Sequence, residues 1–78
     1  MIKKIQKIKP PFPFEAYSHV LSPIRAEEGG GFMFTMPDIA GVVADGETMD
    51  EAMADGREAF ETTVSALVDM GREVPPPT

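Results

Sequence analysis

A helical period between Thr48 and Gly71 narrows the possible folds more than anything else in the chain. At about 100° per residue, Met49, Ala52, Met53, Gly56, Ala59, Phe60, Thr63, Val64, Leu67 and Met70 fill one contiguous arc. Asp50, Glu51, Asp55, Arg57, Glu58, Glu61, Ser65 and Asp69 fill the opposite arc, where Val68 is the apolar exception. Thr48 and Glu51 stand at the T-x-x-E spacing of a capping box. In that box the hydroxyl takes a backbone N–H, and the carboxylate reaches back to the N–H of the cap residue itself. Gly71 sits where a left-handed residue closes a helix, and Arg72 lies near the negative helix end.

The segments before the helix read as strands. Residues 17–24, YSHVLSPI, alternate and carry β-favouring side chains, and Pro23 marks an edge or a bulge near their end. RAEEGGG is a polar, glycine-rich connection. In GFMFTM, Phe32, Phe34 and Met36 share one face while Met33 and Thr35 share the other. These two runs predict an antiparallel hairpin, closed off by Pro37, which cannot donate to a ladder. GVVAD predicts a third strand, and EVPPPT after the helix leaves room for one brief extended segment. The expected fold class is α+β: a small antiparallel sheet of three to four strands with one long amphipathic helix on one face, in the order β-β-β-α-β. Because one helix covers one face, Met33, with Val20 and Ile24, is expected on an open face. That face points to self-association, as a dimer or tetramer, or to a partner.

Composition sets further bounds. At 78 residues the chain is one domain, small enough for a single core to be marginal. It has no cysteine, which excludes disulfides and thiolate metal sites. The net charge is −6, but all four lysines lie within the first nine residues. Residues 10–78 hold three arginines against thirteen acids, a balance of −10. Such a surface repels phosphate backbones and attracts a basic partner. Residues 1–14 read as a basic, proline-rich tail, 15–74 as the domain, and 75–78 as the start of a proline-rich linker. The prolines of KPPFPF interrupt any apolar segment after the basic start, so neither a signal peptide nor a membrane span is expected, and the cytoplasm is the expected location.

Catalytic readings find little support. His19 lies mid-strand beside Ser18 and Ser22, with no acid placed to orient it and no nucleophile-elbow pattern around either serine. Asp45, Glu47, Asp50, Glu51 and Asp55 are close in sequence, as in sites that bind magnesium, yet Gly46 directly after Asp45 breaks the calcium-loop spacing. Glu51 belongs to the cap, and acids in a first helical turn are what the dipole favours. The glycines of EEGGGF lack the helix that a phosphate cradle needs. No catalytic residue, cofactor or metal ligand is expected.

The order of these elements resembles the HicB-type antitoxin family. The resemblance runs from residue 17 to 77. It is carried by a Gly-rich turn with Gly30 and Gly31, Pro37-Asp38 with Gly41, Gly46 with Thr48 and Glu51-Ala52, Arg57-Glu58-Ala59, and Gly71 with Pro75. It implies a reduced ribonuclease-H-like fold without the catalytic acids. It also implies a partner: a small basic HicA-type toxin that resembles a double-stranded-RNA-binding domain, cleaves mRNA and has its catalytic histidine masked on binding. Family members usually carry a following DNA-binding segment. None follows PPPT in this sequence, so direct nucleic-acid binding is not expected of the chain. The candidate partner-binding residues are Asp38, Asp45, Asp50, Asp55, Glu58 and Glu61, with the acids Glu27 and Glu28 and the sheet face as other options. Two alternatives stand beside this reading. One is a magnesium-dependent nuclease using Asp38, Asp45 and neighbouring acids, and the other a stand-alone oligomeric regulatory domain without a toxin.

Overall fold

The computed structural model describes residues 11–78, so the lysine-rich start of the tail lies outside the described residues. Three antiparallel strands form one sheet in the order β1 (Val20–Pro23), β2 (Phe32–Thr35) and β3 (Val43–Gly46), followed by the helix α1 (Met49–Asp69). Short 3-10 turns occupy Phe14–Ala16 and Ala26–Glu28.

The hairpin forms, but its first strand is shorter than the alternation of residues 17–24 suggests. Tyr17 is pulled out of the ladder: its ring is buried in the core and its hydroxyl donates to the Pro75 carbonyl at 2.6 Å. The connection closes through Ile24 N–H to Gly31 O at 2.8 Å and Gly30 N–H to Arg25 O at 3.0 Å. Pro23 ends β1 on the edge of the sheet, where its missing N–H leaves no central ladder bond unmade.

Across the sheet, Leu21 pairs with Phe34 and Phe34 with Ala44, facing the helix. The alternate rows, Val20–Thr35–Val43 and Ser22–Met33–Asp45, face away. The core lies between the inner rows, the helix and the loop after β2: Phe34, Ile39, Val42, Ala52, Phe60 and Val64 are each at most 1% exposed. The loop PDIAGV is therefore a lid on the core, with Ile39 and Val42 as its anchors. Phe12 and Phe14 rest against this core too, Phe14 with its ring centroid 5.4 Å from Phe60 and 6.1 Å from Phe34.

The helix begins as the sequence requires, with one difference in the cap. Thr48 Oγ1 accepts from Glu51 N–H at 3.1 Å, but the Glu51 carboxylate accepts from Glu47 N–H at 2.9 Å rather than from Thr48. Only Glu47 and Thr48 separate β3 from α1, so the preceding residue's N–H is the one turned toward the carboxylate. That connection needs Gly46, because a Cβ there would stand 2.5 Å from Ala52 N. At the other end Gly71 takes φ 72°, Arg72 N–H bonds Leu67 O at 2.8 Å and Gly71 N–H bonds Val68 O at 3.0 Å, the Schellman closure.

Two further expectations change. Met49 and Met70 were placed on the buried arc but are 52% and 61% exposed. The helix is about 31 Å long over four-residue strands of about 13 Å, so both ends overhang the sheet. The strand expected after the helix does not form, and among the described residues the sheet keeps three strands. Prolines 75–77 have no N–H for a ladder, and side-chain bonds hold this segment instead.

Candidate protein-interaction surface

The helix separates the candidate acids. Asp55 and Glu58 flank an open groove beside β3, lined also by Val43, Ala44, Ala59, Thr62 and Thr63. Glu61 lies on the opposite flank of the helix with Pro11, Phe14, Glu15 and Arg57. Asp50 is exposed in the first helical turn. Asp45 stands on the outer sheet face opposite Met33. Asp38 accepts from Thr78 N–H at 3.1 Å and from Thr78 Oγ1 at 2.9 Å, so it tethers the C-terminal segment to the loop after β2. Of the acids proposed from sequence, Asp55 and Glu58 line a common groove.

The sheet face opposite the helix is open among the described residues. Val20 is 45%, Met33 41% and Val43 59% exposed. Val43 was absent from the expected face because GVVAD gives no alternation to set its phase. The register with Thr35 places it in the outer row. Ile24, by contrast, lies beyond the end of β1 and is half-buried.

Near the helix, Arg57 Nη1 donates to the Glu15 carboxylate at 2.9 Å, and Arg57 Cζ lies 5.2 Å from the Phe14 ring centroid. The backbone N–H of Glu15 and then the Arg57 guanidinium hold this carboxyl below its ordinary value. Its small contribution to stability is thus present above the ordinary carboxylate range and lost on acidification. His19 stacks on Phe34 at 5.4 Å between centroids, and no oriented base or nucleophile accompanies it in the described hydrogen bonds.

Tyr17 titrates in the other direction. Burial first, and then the charge of Asp38, raise its hydroxyl above the ordinary tyrosine value of 10.0. The folded state keeps the proton that the unfolded state has already released, so stability is complete below pH 10.0 and falls as pH rises through the folded value. Tyr17→Phe is expected to flatten that alkaline loss, while costing about 0.5–1.5 kcal/mol at neutral pH through the missing bond to Pro75. The chain has one tyrosine and no tryptophan, so phenolate absorbance reads this group directly. Titration of the folded chain at the ordinary tyrosine value would refute the shift.

A nuclease would need Asp38, Asp45 and neighbouring acids to converge. Among the described residues no group of three His, Asp or Glu side chains is placed to hold a metal ion. No helix is long and apolar enough to cross a membrane, again among the described residues. No curated protein and no solved structure matches the chain. The model of the HicB-like antitoxins of bacterial toxin–antitoxin systems does match, over residues 20–78. That span holds all three strands, the capped helix and the returning C-terminal segment. The chain belongs to the HicB-like antitoxin family.

Proposed function

We propose that the chain acts by binding: it holds a small, basic, mRNA-cleaving toxin of the HicA type and neutralises it, with no catalysis of its own. The observation that carries this reading is the family match over residues 20–78. Charge supports it. Residues 11–78 hold thirteen acids and three arginines, and two of those arginines pair within the chain, Arg25 with Glu27 and Arg57 with Glu15. The surface left over speeds encounter with a basic protein and disfavours direct contact with RNA. Asp38, Asp45, Asp50, Asp55, Glu58 and Glu61 are the candidate acids for that contact, and the cytoplasm is where a toxin acting on mRNA would be met.

The open face of Val20, Met33 and Val43 joins copies of the chain into a dimer or tetramer in this reading. Light scattering that returns a strict monomer at high concentration would remove that part. The function itself is tested by co-expression with a small basic HicA-type toxin from the same genome. Growth arrested by that protein is expected to recover when this chain is present. Continued arrest with the chain soluble and folded would overturn the proposal.

A further inference from the structure

A free strand edge and a groove coincide on one flank of the helix. Among the described residues β3 pairs with β2 alone. Alternate residues of Val43–Gly46 therefore turn their N–H and C=O groups away from the sheet. Beside this edge the groove has small side chains along it, Ala44, Ala59, Thr62 and Thr63, with Asp55 and Glu58 at its rim. Neither rim carboxylate has an ion-pair partner among the described residues. On the outer face, the row Val20–Thr35–Val43 runs out to the same edge and ends at the most exposed of its members.

We infer that the β3 edge takes up an extended basic segment of the partner protein as a fourth strand; this rests on the toxin-binding reading above. An added strand sends alternate side chains to opposite faces. On the helix side, long aliphatic stems lie across the small residues of the groove while Lys or Arg head groups reach Asp55 and Glu58. On the open side, an apolar side chain extends the row beyond Val43. The partner segment thus alternates basic and apolar residues, and its main chain supplies the ladder bonds. The same rim works against a second copy at this edge. Pairing β3 with β3 would bring two sets of Asp55 and Glu58 together with no cation between them.

The test uses the full chain and a small basic HicA-type toxin from the same genome. Adding that protein is expected to slow amide exchange at alternate residues of β3 by about tenfold or more. Asp55→Arg with Glu58→Arg is expected to weaken binding about a hundredfold, whereas Glu27→Arg with Glu28→Arg, the same charge change on the hairpin turn, weakens it about fivefold or less. Circular dichroism checks that both variants fold. Tight binding with unchanged β3 exchange, or equal weakening by both double reversals, puts the partner elsewhere and overturns the inference while leaving the antitoxin reading intact. Failure of the native chain to bind at all overturns that reading itself. An edge already protected in the chain alone also overturns the inference. Release of that protection on dilution identifies a second copy as the occupant, and release on removing residues 2–9 identifies the chain's own lysine-rich segment.

Discussion

Phe34→Ala is expected to remove about 3–5 kcal/mol, a large share of what a domain of this length possesses at about 0.05–0.15 kcal/mol per residue. Phe34 is the centre of the inner sheet face and is 0% exposed. Its ring lies directly on Gly56, where an added Cβ would stand 2.6 Å from Phe34 Cε1. Glycine inside a helix costs about 1 kcal/mol against alanine, so Gly56→Ala looks favourable from propensity alone. The contact reverses the sign. A fully enclosed ring has no free rotamer to move into, and Gly56→Ala is expected to cost about 1–3 kcal/mol by overpacking. With Phe34→Leu already in place, the same alanine meets a smaller, more adaptable side chain and becomes neutral or stabilising. Urea unfolding of the four chains by circular dichroism measures this coupling. If Gly56→Ala costs the same in both backgrounds, the ring is not what demands glycine.

Removing residues 1–14 is expected to cost about 3 kcal/mol, from two half-buried phenylalanine rings and the aromatic pairs they make. The family match begins at residue 20, yet Phe12 and Phe14 pack against the core that the matched residues form. Phe14 meets both Phe34 and Phe60, and Phe12 meets Tyr17 edge-on at 6.4 Å. At about 4–8 °C per kcal/mol for a domain of this size, the shortened chain should melt well over ten degrees lower. Phe14→Ala alone should account for about half of the loss, given the two rings. An unchanged melting temperature after truncation would show that these rings only rest on the surface.

Legibility in the sequence followed the range of the interaction. The helix was readable because its signals are local: the Thr48–Glu51 spacing, the apolar arc and Gly71 all act within one turn. The open sheet face was readable from Met33, since alternation in GFMFTM fixes its phase. Val43 was not, because its neighbours do not alternate and only pairing with Thr35 decides its side. PPFPF suggested a spacer, since a proline run excludes helix but says nothing about which rings find a core. The C-terminal contacts span 58 residues from Tyr17 to Pro75 and 40 from Asp38 to Thr78, beyond any local pattern. The grouping of acids depended on where the helix lies over the sheet. Helical spacing put Asp55, Glu58 and Glu61 together on one arc, but the strand edge and the aromatic segment divide that arc into two flanks.

The bond from Tyr17 to Pro75 has a consequence for chain connectivity. It brings a residue near the start of the described chain against one near its end, beside the core that Tyr17 and the neighbouring Val74 help to close. Continuity of the backbone through the hairpin turn is then not what keeps the layers together. A short linker could join the two ends, and the chain could be opened at Gly29–Gly30, where an added Cβ on either residue meets nothing within 4 Å. Every strand, the helix and the core contacts would keep their places in such a circular permutant. The order of elements along the chain is one of several that this architecture can accept.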